Sequence, residues 1–174
     1  MKTPLLATAI LGAITLSTPV FASHSVYGLL KGGWTDLKDR DLPSDVDTTD
    51  YTFSLLGGIS FPIARDTFSV GVEGGAVWLG DYGDDNEFDI SGIEAAAIGK
   101  ARIATGTDLF LRAGSLAWDA EFDHGTDEDG VDAFWGAGFT YGLDNLKFRG
   151  SVDRYSLDEV DVEAYTLGLE YRFN

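Results

Sequence analysis

The sequence predicts an all-β fold, an eight-stranded antiparallel up-and-down transmembrane β-barrel, and three observations carry that expectation. Eight stretches alternate apolar and polar residues with a period of two, the signature of strands with two unlike faces. Their connections alternate between short turns and longer acid-rich loops. One face is aliphatic and aromatic, while the other carries charges of both signs. The stretch from Ala164 to Phe173 shows the pattern most cleanly: Tyr165, Leu167, Leu169, Tyr171 and Phe173 form an oily stripe, and Ala164, Thr166, Gly168, Glu170 and Arg172 a wet one.

The chain has 174 residues, a single-domain length. Lys2, the apolar run Leu5 to Leu16, Thr18, Pro19 and the exit Val20-Phe21-Ala22 read as a secretory signal peptide over residues 1–22, leaving 23–174 as the barrel domain. The run is too short for a spanning helix, and charges or glycines interrupt every later apolar run. Cysteine is absent, which excludes disulfides, thiolate metal sites and a lipoprotein anchor. A net charge of -17 argues against a nucleic-acid partner. High glycine, 13% aromatics and few prolines suit a tightly curved sheet better than a disordered acidic chain.

The first strand is expected over Ser25 to Asp36, with Val26, Gly28, Leu30, Gly32 and Trp34 on one side and Lys31 on the other. The second, Tyr51 to Phe61, sets Tyr51, Phe53, Leu55 and Ile59 against Thr52, Ser54 and Ser60, and a turn over Pro62 to Thr67 follows. In the third, Phe68 to Gly80, Val70, Val72, Ala76 and Trp78 oppose Glu73. The fourth, Ile90 to Ile103, has small outward residues (Ala95, Ala97, Gly99, Ala101) opposite Glu94, Lys100 and Arg102. Its alanines also allow a helix over Gly92 to Ala104, but no cap is present and the neighbours are evenly spaced strands.

The turn Ala104 to Asp108 leads to a fifth strand, Leu109 to Glu121, with Arg112 inward. The sixth, Val131 to Gly142, alternates Val131, Ala133, Trp135, Ala137, Phe139 and Tyr141 with Asp132, Phe134, Gly136, Gly138 and Thr140. A turn at Leu143 to Asn145 gives the seventh, Leu146 to Leu157, whose Lys147, Arg149, Ser151, Asp153 and Tyr155 share the polar side. The loop Asp158 to Asp161 joins it to the last strand. Short turns at one end, polar loops at the other and an even strand count are the layout of an outer-membrane barrel.

A soluble lipocalin-like barrel would turn the same faces the other way. Two features decide against it. The polar face gathers Lys31, Glu73, Glu94, Lys100, Arg102, Arg112, Lys147, Arg149, Asp153, Glu170 and Arg172, the composition of a lumen packed with ion pairs. Aromatics also collect at strand ends. Trp34, Tyr51, Trp78, Tyr82 and Trp135 lie toward the loops; Phe61, Phe68, Tyr141, Phe148, Tyr171 and Phe173 lie toward the turns, as two interfacial girdles would.

The segments Val70–Gly80 (VGVEGGAVWLG), Leu111–Trp118 (LRAGSLAW), Phe134–Leu143 (FWGAGFTYGL) and Leu167–Phe173 (LGLEYRF) closely resemble strands of the OmpA-like transmembrane domain family, and Tyr27–Trp34 (YGLLKGGW) resembles its first strand. The resemblance spans nearly all of residues 23–174 and implies a stand-alone barrel in the size class of OmpX and Ail, with no peptidoglycan-binding domain after it. In that family a strand-three glutamate and a strand-seven arginine form an ion-pair gate with exchangeable partners. Glu73 and Arg149 match those positions, whereas Ile98 replaces the family's lysine, with Lys100 one inward step away, and Thr140 replaces its second glutamate. The resemblance also implies a C-terminal aromatic signal for the assembly machinery, here Tyr171 and Phe173, although Asn174 follows them.

The loops hold Asp39, Asp41, Asp45, Asp47 and Asp50, then Asp81, Asp84, Asp85, Glu87 and Asp89, then Asp123, Asp127, Glu128 and Asp129. Their spacing is not that of an EF-hand, and they read as solvated acids; no metal or cofactor is expected. The two histidines, His24 and His124, are not placed beside a serine on a lipid-facing strand, so no enzyme is expected. The expected role is structural: a bacterial outer-membrane barrel that stabilises the envelope, its lumen plugged by ion pairs and passing at most small solutes or gated ions. The alternative is an adhesin or serum-resistance barrel acting through its acidic loops. Expected partners are outer-membrane lipids and lipopolysaccharide, the barrel assembly machinery and periplasmic chaperones, with the barrel itself a monomer. A closed barrel of this kind resists detergent until heated, so boiled and unboiled samples are expected to migrate differently in a detergent gel; identical migration would contradict the expectation.

Overall fold

The structure, a computed structural model, describes residues 24–38, 49–63, 67–82, 88–122, 128–157 and 160–173. The signal peptide expected over 1–22, the acidic loop interiors with His124, and Asn174 lie outside the described residues. Eight strands follow in order: β1 (Ser25–Lys38), β2 (Thr49–Ile63), β3 (Phe68–Tyr82), β4 (Phe88–Ala104), β5 (Thr107–Phe122), β6 (Glu128–Leu143), β7 (Leu146–Leu157) and β8 (Val160–Phe173). Each pairs antiparallel with the next, and β1 pairs with β8 from Val26↔Phe173 to Lys38↔Asp161, which closes the sheet. Closure leaves no strand edge, the condition for placing backbone amides in hydrocarbon, where an unpaired group costs several kcal/mol.

Alternation decides which residues meet the bore. On β5, Phe110, Arg112, Leu116 and Trp118 are buried, whereas Leu109, Leu111, Ala113 and Ala117 are exposed. Leu111 and Leu167, each 69% exposed, show how apolar the outer surface is. Gly92–Ala104, where the alanines also allowed a helix, is strand throughout. Gly114 on β5 is required by close approach, because a Cβ there would collide with the carbonyl of Ala95 on β4.

The strands run past the apolar band. They are 12 to 17 residues long, against the ~9–11 needed to cross the hydrocarbon. Pairing continues at Asp81↔Asp89, residues whose charge reads as loop, and at Asp119↔Asp129, of which Asp129 reads as loop. A ladder above the membrane needs no oily face, so the apolar pattern stops before the strand does. Side chains brace the extension: Trp118 Nε1 donates to Asp132 at 2.7 Å, and Trp78 Nε1 donates to Asp89.

The two girdles stand outward with one exception. Trp34, Tyr51 and Trp135 are exposed at the loop side, and Phe68, Tyr141, Phe148, Tyr171 and Phe173 at the turn side. Tyr82 departs from the expectation. A β-bulge between Trp78 and Gly80, with Gly80 at φ +125°, inserts an extra residue into β3 and reverses its facing. Tyr82 therefore points into the bore, 2% exposed, with its hydroxyl donating to Leu79 O at 2.8 Å and bonded to Thr35 Oγ1.

At the opposite end, Thr105-Gly106 and Asp144-Asn145 make tight hairpins, with Gly106 at φ +75° and Asp144 at φ 56°. The facing can be tested directly. Leu167→Arg places a guanidinium among acyl chains and is expected to lower the unfolding free energy in lipid vesicles by about 2–4 kcal/mol; a change within experimental error would mean that Leu167 does not face lipid.

Candidate functional site

The bore is the candidate site, and its centre is Arg112. Alternation on β5 sends this side chain inward, where it is 2% exposed. Nε donates to Asp153 Oδ1 at 2.7 Å, Nη1 to Glu94 Oε1 at 2.8 Å and Glu73 Oε2 at 3.5 Å, and Nη2 to Glu94 Oε2 at 3.2 Å and Tyr155 Oη at 3.3 Å. The carboxylates have further donors. Tyr155 Oη donates to Glu94 at 2.8 Å, Lys31 Nζ to Asp153 at 3.0 Å and Tyr27 Oη to Glu73 at 2.6 Å. Arg149 grips Glu73 with both terminal nitrogens, Nη2 lying 3.0 Å from Oε2. Lys31, Arg112 and Arg149 thus answer Glu73, Glu94 and Asp153. Burial of charge on this scale holds only where each ion has a partner.

Toward the turns lies a second ionic group. Lys100 Nζ donates to Glu170 Oε2 at 3.0 Å, and Lys147 pairs with Asp108, which also accepts from Thr140 Oγ1 at 3.1 Å. The expected lumen residues Arg102 and Arg172 are not enclosed with the others. Their side chains are 47% and 21% exposed at the barrel end, held by Nε to Asp108 at 3.4 Å and to Glu170 at 3.3 Å. Ile98, in place of the family's lysine, is buried in the bore. Tyr171 and Phe173 lie outside on the closing strand, their rings edge to face at 5.2 Å.

Toward the loops the interior changes character. Leu79, Leu116, Phe134, Tyr155, Val162 and neighbours form a continuous apolar cluster, with Leu79, Leu116, Tyr155 and Val162 no more than 1% exposed. The sequence predicts a lumen plugged by ion pairs; the structure adds an apolar layer above two ionic ones. These residues sit at inward positions in the sequence, so alternation marks them, whereas charge marks only the ionic layers. Asp108 was missed because it reads as turn, although its parity with Phe110 and Arg112 sends it inward. At the loop-side rim, hydrogen bonds from Arg154 and Ser156 hold the Asp161 carboxyl below its usual range.

Among solved structures, the chain resembles Ail, the attachment invasion locus protein of Yersinia pestis, at 18% identity and a TM-score of 0.61, covering 86% of this chain and 98% of that one. It resembles neisserial surface protein A at 14% identity and a TM-score of 0.63, covering 87% and 99% respectively. At these identities the likeness shows the fold. No curated protein matches the chain in sequence. The family model described as the outer membrane protein beta-barrel domain matches residues 7–173. The chain therefore belongs to the outer membrane protein beta-barrel family and is an eight-stranded transmembrane barrel of the bacterial outer membrane.

Proposed function

We propose that the barrel is a structural component of the outer membrane whose bore is closed along its length, passing at most small solutes or gated ions. The observation that carries this reading is the double closure: the ionic cage around Arg112 lies beneath the apolar layer of Leu79, Leu116, Phe134 and Tyr155. Eight strands enclose a bore just wide enough for side chains to fill. An ion crossing it would have to break the cage and then shed its water among hydrocarbon side chains, and each step is unfavourable. The partners consistent with this role are outer-membrane lipids and lipopolysaccharide, with the barrel monomeric and Tyr171 and Phe173 read by the assembly machinery. The barrel performs no chemistry on this reading; His24 sits at the turn-side end with the Phe61 ring 6.5 Å away.

The second reading is an adhesin or serum-resistance barrel acting through its acidic loops. The shared fold with Ail, whose name records attachment and invasion, makes it worth testing without carrying it. Loss of host-cell attachment in a deletion strain would favour it, whereas a weakened envelope with normal attachment would favour the structural role.

Two outcomes follow from the double closure. Arg112→Met leaves Glu94 and Asp153 without their shared cation and is expected to lower the unfolding free energy in urea titration by about 3–5 kcal/mol; a loss below about 1 kcal/mol would mean that the cage is loosely held. In planar bilayers the native barrel is expected to show no sustained conductance. The double variant Glu73→Gln, Arg149→Met is expected to stay closed as well, because the apolar layer remains. Steady current through that variant would show that ion pairs alone seal the bore.

A further inference from the structure

We propose that the turn-side end of the barrel binds a phospholipid of the adjoining leaflet, its phosphate held by Arg102 and Arg172 and an acyl chain lying along the outer face of β4. The inference rests on two adjoining features and holds whether or not the bore conducts.

The first is a polar cavity of about 180 Å³ at the barrel's turn-side mouth; among the described residues its lining holds Lys100, Arg102 and Arg172 against one carboxylate, Asp108, with Glu170 paired to Lys100 and Arg172 beside it. In a chain of net charge -17 a cationic mouth is an inversion. Both arginines engage their carboxylates through Nε alone, at 3.4 and 3.3 Å, so their terminal nitrogens have no hydrogen bond among the described residues. Two guanidinium groups lining one cavity, each with its terminal nitrogens unengaged, suit the oxygens of a phosphate. Arg102 and Arg172 are also the two cations of the expected lumen set that stand at the solvent-accessible end, within reach of a headgroup.

The second feature is an apolar trench of about 580 Å³ on the outer surface; it shares Phe68, Ser69 and Lys100 with the cavity, so near the turn-side rim only the β3–β4 wall separates the two. Phe68 and Val70 of β3 form one wall, Leu109 and Leu111 of β5 the other, and Gly99 and Ala101 of β4 the floor. A Cβ built on Gly99 would meet nothing within 4 Å, so the floor is open rather than packed. This face lies in hydrocarbon. A second copy related by twofold symmetry would set trench against trench and leave a void, which close packing disfavours. An acyl chain fits between the walls, and Arg102, which follows the floor residue Ala101 at the rim, favours a molecule with a phosphate at the end of its chain.

The test uses the full chain extracted from outer membranes into an uncharged detergent, delipidated, and titrated with dioleoyl phosphatidylglycerol while bound lipid is counted by native mass spectrometry. Heat modifiability confirms that each variant is folded. The native barrel is expected to retain a single lipid. Arg102→Gln with Arg172→Gln, which removes both phosphate donors, is expected to weaken retention about tenfold or more. Gly99→Leu, which fills open space, is expected to weaken lipid retention comparably while leaving binding of inorganic phosphate unchanged. Retention unaffected by either change would overturn the proposal. So would phosphate binding abolished by the arginine changes together with lipid retention indifferent to Gly99→Leu, the pattern of a site for free phosphate. A dimer in the native sample that Gly99→Leu dissociates would assign the trench to a second copy and overturn it equally.

Discussion

The constraint on which the structure depends is that every strand separates hydrocarbon from a bore too narrow to hold bulk water. Backbone amides satisfy it by closing β1 onto β8, and side chains satisfy it by strict alternation. Any ionisable group on an inward position is then buried on all sides and must find its counter-ion across the barrel rather than in solvent. Arg112 meets carboxylates that arrive on β3, β4 and β7, so one side chain ties together strands far apart in sequence. The cage is therefore a condition of closing the barrel as much as a barrier within it.

The interior answers the constraint differently along its axis. At mid-height and toward the turns, charges neutralise one another in pairs; toward the loops, the strands leave the membrane and the bore is filled as a soluble protein's core would be. The extension beyond the bilayer explains the exchange. Above the hydrocarbon both faces of the ladder are free of lipid, so the inward face alone must supply apolar burial, and Leu79, Leu116, Phe134 and Val162 supply it. Buried ion pairs give little net stability, whereas packed apolar side chains give more, so the loop-side layer is the more effective clamp on the strand ends.

Strand number, order and facing were legible in the sequence because a period of two, repeated between turns, leaves little freedom once a hydrocarbon exterior is assumed. Arg112, Glu73 and Asp153 could be placed inward from parity alone. Their partners could not, since pairing depends on barrel stagger, which no single strand records. Tyr82 was misplaced because a bulge at Trp78–Gly80 resets the parity, and the glycine that permits it resembles every other glycine of the chain. The strand ends at Asp81, Asp89 and Asp129 were hidden because charge marks solvent, not the end of hydrogen bonding. Asp108 was hidden by lying next to a tight turn, where side chains are ordinarily wet.

The facing of the strands is tested most directly by the tryptophans, of which the chain has 4. Trp135 is 58% exposed on the outer face of β6, and Trp118 is 8% exposed within the bore. In single-tryptophan variants reconstituted with phospholipids brominated along the acyl chain, Trp135 fluorescence is predicted to be strongly quenched and Trp118 fluorescence to remain near its value in unbrominated lipid. Equal quenching of the two, or quenching of Trp118 alone, would contradict the account.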